Sequence, residues 1–315
     1  MPARLLVREG QEVVDREPAA LSELRDRPCW LDLVDPTPAD LDLVAEELGL
    51  HPLAVEDAKH RHQRPKIEQY EGHYFVVFYA VHRMGEELDF DELSIFVAKN
   101  ALVTVRGAHE GPVDEIERRW RDGRIRDVAM LLHALLDQTV DGYFPIADEL
   151  GEAVEVVEQT IADAKRRDFQ GPLRDLFRVK RQLLFLRQHI APERDVLAVL
   201  ARGDLGFFSR GESVYFQDVY DHVVRVTDSI DTFRDLASNV IDAHLAAASN
   251  RLNEVMKVLT SIATILLVVG VITSFFGQNF ATIPYDSAAL FWGSLVVSAL
   301  AALGLGMFFR RVGWL

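Results

Sequence analysis

Residues 258–276 read VLTSIATILLVVGVITSFF, residues 277–279 read Gly-Gln-Asn, and residues 288–309 read AALFWGSLVVSALAALGLGMFF. Neither apolar run holds a charged side chain. Each is close to the roughly 20 residues that a helix needs to cross a bilayer core. Two such spans joined by a short loop predict a transmembrane hairpin. The flanks orient it: Arg251 and Lys257 precede the first span, Arg310 and Arg311 follow the second, and the loop at 277–287 has neither Lys nor Arg. The positive-inside rule then puts both ends in the cytoplasm and the loop outside. The expectation is a multi-pass protein of the inner (plasma) membrane, with lipid as a partner.

Outward from the hairpin the chain changes character. Charge is dense up to Lys257, and beyond it only Asp286, Arg310 and Arg311 are charged. A soluble region precedes a membrane region. The formal net charge of −15 is the opposite of a nucleic-acid footprint, so no nucleic-acid partner is expected. Cys29 is the single cysteine, which excludes an intrachain disulfide and a multi-cysteine zinc site. The opening MPARLLVREG lacks the long apolar core of a signal peptide, so the chain is expected to start in the cytosol and insert late.

The soluble part divides by periodicity. Residues 1–126 read as an N-terminal cytoplasmic α/β domain. Strands are predicted at 5–7, 30–33, 74–81, 93–97 and 102–105, which together are rich in Val, Phe and Tyr. A helix is predicted over 37–48, with Thr37 as N-cap, Pro38 in the first turn and Gly49 as terminator. Residues 127–212 read as a long acidic helical pair, 128–167 and 172–202, turning at Gln170-Gly171-Pro172. Gly171 is expected to cap the first helix and Pro172 to open the second. Residues 213–257 continue without proline as a cytoplasmic stalk helix that runs into the first span, 258–276. The external loop is 277–287, the second span 288–309, and the basic cytoplasmic tail 310–315. One helix over 215–276 would be close to 90 Å long at about 1.5 Å per residue. A helix of that length is expected to associate with copies of itself.

One hairpin cannot enclose a pore, so conduction would need several copies around an axis. Asn253, Met256, Thr260, Ala263, Leu267, Gly270 and Ser274 alternate at spacings of three and four and share one stripe. Small and weakly polar residues dominate it. They suit close helix packing and also suit the lining of an axis, and in a ring both hold together. Proton-coupled carriers place Asp, Glu or His inside the membrane; these spans hold none. A divalent cation gains roughly 4.6 kcal/mol per 100 mV from the membrane potential alone. Hydroxyls, amides and carbonyls suit a cation that keeps most of its water, as Mg2+ does. A ring of Asn279 amides is the expected grip on such a shell. No phosphate loop, nucleophile elbow or His-Glu-x-x-His pattern is present, so an enzyme is not expected. His51, His60, His62 and His109 lack the i, i+4 pairing of a helical metal site.

The sequence resembles the CorA family of magnesium transporters over nearly its whole length. The matching residues are 253–260 (NEVMKVLT) followed by Ile262-Ala263-Thr264-Ile265, Gly277-Gln278-Asn279-Phe280 where the family carries Gly-Met-Asn-Phe, and the ending Gly313-Trp314-Leu315. Residues 215–222 (YFQDVYDH), Glu56-Asp57 and 62–66 (HQRPK) match as well. The resemblance implies a homopentamer of α+β cytoplasmic domains, stalk helices and two-helix hairpins. It implies a channel-like transporter for Mg2+ influx, driven by membrane potential and gated by cytosolic Mg2+ bound between subunits. Gly277, Gln278 and Asn279 would form the selectivity element. Asn253, Met256, Leu259, Ala263, Leu267 and Gly270 would line the pore, so Leu259 takes the place that the stripe gives to Thr260. Asp57 and Asp218 would bind the regulatory ion, with Glu56 beside them and Asp137 near a second site.

The sequence departs from the family at Gln278 (methionine), Gly270 (threonine) and Val268 (often proline), and it lacks an acidic residue directly after Pro284. These departures keep open a Co2+, Ni2+ or Zn2+ transporter of the same fold. A non-conducting, membrane-anchored metal sensor or scaffold is the reading from another class, and Asn279 discriminates it, because a scaffold has no need of an amide in the loop.

Overall fold

The structure, a computed structural model, describes residues 3–10, 12–17, 27–108, 113–163, 170–203, 206, 211–278, 284 and 287–315. The chain divides into two units, Met1–Asn239 and Val240–Leu315.

The first unit is built on a seven-stranded mixed sheet in the order β2-β1-β3-β7-β6-β5-β4. The strands are β1 (Ala3–Glu9), β2 (Glu12–Arg16), β3 (Cys29–Val34), β4 (Lys66–Tyr70), β5 (His73–Met84), β6 (Glu87–Ala98) and β7 (Ala101–Arg106). Only the β3–β7 pair is parallel. The five predicted strands are β1, β3, β5, β6 and β7, whose apolar runs are buried. The two edge strands escape a hydrophobic pattern: β2 reads EVVDR and β4 reads KIEQY. Polar edges of this kind are how sheets avoid pairing with other chains.

The long hairpin β5–β6 pairs from His73↔Ala98 to Met84↔Glu87. Gly85 turns it at φ 64°, the left-handed conformation that a two-residue hairpin turn requires. Phe75 lies opposite Phe96 with ring centroids 4.8 Å apart. Full burial of a side chain such as Phe75 contributes about 1.5–3 kcal/mol. The same face carries Leu5, Leu31, Leu33, Val77 and Val103, and it packs on Leu41, Val44, Ala54, Val55 and Ala58. These come from α1 (Pro38–Leu48) and α2 (Pro52–His60). α1 starts as its sequence dictates. The Thr37 side chain accepts from Asp40 N–H, the Asp40 carboxylate accepts from Thr37 N–H, and Gly49 ends the helix at φ 66°.

The helical region differs from the expected pair. Residues 128–163 form α4 (Val128–Asp141) and α5 (Tyr143–Asp163), after α3 (Val113–Arg121). Gly142 separates them: its N–H closes α4 on Gln138 O, and a glycine inside a helix costs about 1 kcal/mol relative to alanine. Likewise 170–201 form α6 (Gln170–Ile190) and α7 (Glu193–Ala201), because Pro192 has no N–H to continue α6. Gly171 lies in the first turn of α6 and is not a C-cap; residues 164–169 lie outside the described residues.

α8 runs unbroken over Ser213–Phe276, and α9 spans Ala288–Arg311. Both are long and apolar enough to cross a membrane. In the second unit the large apolar side chains point outward, among them Leu259, Leu266, Leu267, Val271, Trp292 and Leu303, while Ser261, Ser298 and Phe309 are buried. That is the inverse of a water-soluble helix pair.

Candidate metal centre and conducting face

Within the first unit, Asp137 of α4 meets Asp218 and His222 of α8. One ligand atom from each lies within 4.8 Å of the others. Asp218 and His222 are four residues apart and so share one helix face. Asp137 and His222 are half-buried and Asp218 is exposed. Burial pushes the Asp137 carboxyl above its ordinary value, while the neighbouring His133 pulls it down. Burial likewise lowers His133, against the pull of Asp137. His222 Nδ1 is buried without a hydrogen-bond partner, and its nearest acid is Asp141 Oδ1 at 3.6 Å. Two carboxylates and an imidazole converging in this way make a donor set that fits a divalent cation. The oxygens suit Mg2+ with water completing its shell, and the imidazole suits Co2+, Ni2+ or Zn2+.

Asp57 sits elsewhere, in the last turn of α2. Its Oδ2 lies 2.6 Å from Lys66 Nζ, which is also 2.9 Å from Glu68 Oε1. Burial disfavours the Lys66 ammonium, but its hydrogen bonds to Asp57 and Glu68 outweigh that and hold its pKa above the ordinary value. Glu56 is exposed and makes no ion pair among the described residues. The structure therefore brings together Asp137 and Asp218, and within this chain Asp57 and Glu56 are not part of that cluster. Sequence reasoning passed over two residues. His222 stands at i+4 from Asp218, a carboxylate–imidazole pairing that a pattern of two histidines does not include. Lys66 ends the HQRPK stretch, but its partner in α2 is a tertiary contact.

In the second unit, the stripe on α8 is exposed at Asn253, Met256, Thr260, Ala263, Leu267 and Ser274 and half-exposed at Gly270. A cleft of about 540 Å³ is lined by Asn250, Asn253, Glu254, Met256, Lys257, Thr260 and Trp314. A groove of about 640 Å³ follows, with Ala263, Leu267, Gly270, Ser274 and Gln278 in its lining. Leu259 lines neither, though it is 58% exposed. α8 ends where Gly277 N–H closes on Thr273 O at 3.0 Å, and Gln278 is exposed. Asn279 lies outside the described residues.

Over residues 25–311 the chain matches the family model described as CorA-like Mg2+ transporter protein. The chain belongs to this family. It is 32% identical over 298 residues to the Cobalt/magnesium transport protein CorA of Thermotoga maritima, covering 91% of this chain and 84% of that one. It is 30% identical over 294 residues to the Putative metal ion transporter YfjQ of Bacillus subtilis, covering 90% and 89%. In fold it is similar to the complete CorA magnesium transporter from Methanocaldococcus jannaschii, with a TM-score of 0.84 at 20% identity over 99% of this chain and 98% of that one. The CorA-like family is one of transporters, not enzymes. Its fold accounts for the mixed sheet, the long C-terminal helix and the second apolar helix seen here.

Proposed function

We propose that this chain is one subunit of a homopentameric membrane channel for divalent metal cations, with Mg2+ entering down the membrane potential. The observation that carries the reading is the stripe on α8. Asn253, Met256, Ala263 and Leu267 lie exposed, and Gly270 half-exposed, on a helix that offers no charged group from Val258 to Phe276. Such a face, repeated around an axis, passes a hydrated cation without binding it tightly. Gly277 ends the helix and Gln278 follows it; on this reading the Gly277-Gln278-Asn279 stretch forms the outer mouth, where amide oxygens would accept hydrogen bonds from a cation's water shell. α9 faces lipid, and both termini are cytoplasmic.

Regulation is part of the proposal. Asp57 and Asp218, with Glu56 nearby, face each other across neighbouring subunits, and Asp137 and His222 complete a second site around Asp218. A divalent cation held there supplies positive charge between groups that otherwise repel. In its absence the carboxylates of an acidic ring push the subunits apart. The His222 imidazole favours a second reading, in which Co2+, Ni2+ or Zn2+ is the physiological ion.

The test is metal uptake into liposomes that hold the purified protein, with Asn279→Ala alongside. Mg2+ flux that falls in the variant supports the amide mouth, and unchanged flux removes Asn279 as the selective element. No flux of any divalent ion in the wild type would leave a membrane-anchored scaffold. Asp57→Lys combined with Asp218→Lys is expected to make uptake insensitive to internal Mg2+.

A further inference from the structure

The ion pair at Asp57 bears on how a regulatory cation could reach it. Lys66 and Glu68 are two residues apart on β4, so both side chains project from the same face of the strand. Asp57 approaches them from α2. The ammonium sits between the two carboxylates, 2.6 Å from Asp57 Oδ2 and 2.9 Å from Glu68 Oε1. Its Nζ also lies over the Phe75 ring, 5.6 Å from the centroid. Glu68 is itself fixed, because its Oε2 accepts from the Tyr70 hydroxyl at 2.8 Å. The three groups are between a quarter and two-fifths exposed, with side-chain exposures of 26% for Lys66, 28% for Asp57 and 37% for Glu68. Screening by solvent is therefore partial.

We propose that Lys66 is a tethered counter-ion that competes with a divalent cation for Asp57 and so sets the concentration at which the regulatory site fills. This rests on the reading of Asp57 as a cation ligand. Asp57 cannot hold both charges without their repelling each other across one carboxylate. Glu68 makes the exchange possible. When Asp57 turns to a cation, the ammonium keeps its seat on Glu68 and is never left as an unpaired, partly buried charge. The competitor is part of the chain, so its local concentration is fixed and does not vary with the cell's salts. The result is a site tuned to a weaker affinity than its carboxylates alone would give.

The test is a Mg2+ titration of the full-length protein in detergent, read by the midpoint of thermal unfolding from tryptophan fluorescence. Lys66→Met keeps an unbranched apolar side chain and removes the charge. It is expected to lower the half-saturating Mg2+ concentration by roughly three- to tenfold, the scale of one or two partly exposed ion pairs. Glu68→Gln removes the alternative seat and is expected to raise it. Lys66→Arg should stay near the wild type. If Lys66→Met does not fold, Lys66→Gln serves in its place. Asp57→Asn separates the two ideas. If it leaves the titration unchanged, Asp57 is no ligand and both fall. If it shifts the titration while Lys66→Met does not lower the midpoint, the competitor is overturned and the ligand stands.

Discussion

Glu193 Oε2 lies 2.8 Å from the Tyr143 hydroxyl, and neither residue's side chain reaches water. The same hydroxyl donates to Tyr79 O, and the other Glu193 oxygen accepts from Tyr79 N–H at 2.9 Å. Tyr143 has one hydroxyl hydrogen. If it is given to the carbonyl, Glu193 must itself carry a proton and donate to Tyr143. Burial pushes the Glu193 carboxyl well above its ordinary value, outweighing the opposing bonds from Tyr143 and Tyr79. A neutral Glu193 would close a ring that ties α5 and α7 to β5.

The sign of the pH dependence follows. With the folded value raised, the native state holds a proton that the unfolded chain releases. This stabilising contribution is fully present below the ordinary carboxylate range and is lost as pH rises toward the folded value. Glu193→Gln mimics the neutral acid, because its amide can donate to Tyr143 and its oxygen can accept from Tyr79 N–H. Chemical unfolding between about pH 5 and pH 9 should show a falling trend in the wild type that is flattened in the variant. An equal fall in both would mean that Glu193 is ionised in the fold.

The fold was readable where burial is continuous. Runs such as YFVVFYAV in β5 and SIFVA in β6 bury nearly every side chain, so the strands announce themselves. The same holds for the apolar ends of α8 and α9, which need lipid in place of a protein core. The edge strands β2 and β4 were not readable, because an edge is stabilised by one neighbour and tolerates charge. The breaks at Gly142 and Pro192 were written in the chain, but long helical periodicity on both sides masked them. At the candidate site, Asp137 and Asp218 came from resemblance, and a single face of α8 then added His222. Lys66 was beyond reach, since no periodicity relates α2 to β4.

If the cluster holds an ion, His222 is expected to give it a preference. His222→Ala leaves the oxygens of Asp137 and Asp218 in place, and these suffice for Mg2+ with bound water. Calorimetric titration should show Co2+ or Zn2+ binding weakened by roughly tenfold or more, with Mg2+ binding little changed. Equal losses for all three ions would make the imidazole a structural neighbour and not a ligand.

The resemblance to the family puts Gln278 where a methionine is expected, and Gln278 is exposed at the end of α8. A glutamine oxygen accepts from the water shell of an approaching ion, whereas a thioether is a weak acceptor. Gln278→Met should raise the external Mg2+ concentration needed for half-maximal uptake by roughly three- to tenfold, the value of one hydrogen bond. Its thermal stability should match the wild type. A variant with an unchanged half-saturation would place ion selection elsewhere on the loop.

Gly151 of α5 faces Phe233 of α8 so closely that a Cβ at 151 would lie 2.5 Å from the ring's Cζ and 2.6 Å from Cε1. Both residues lie in the first unit. The absent side chain is what lets the Phe233 ring sit against α5, and a methyl at 151 would force that ring to move. Gly151→Ala should therefore destabilise by about 1–3 kcal/mol through overpacking, even though alanine is the better helix former by about 1 kcal/mol. Phe233→Leu on its own should cost less, since it shortens the side chain at a half-buried position. In the double variant the methyl at 151 occupies the space the ring gave up, so the two losses should not add. Thermal or urea unfolding of the four proteins measures the coupling directly. A Gly151→Ala protein as stable as the wild type would mean that the α5–α8 contact is loose, and additive losses would mean that the methyl clashes with something other than Phe233.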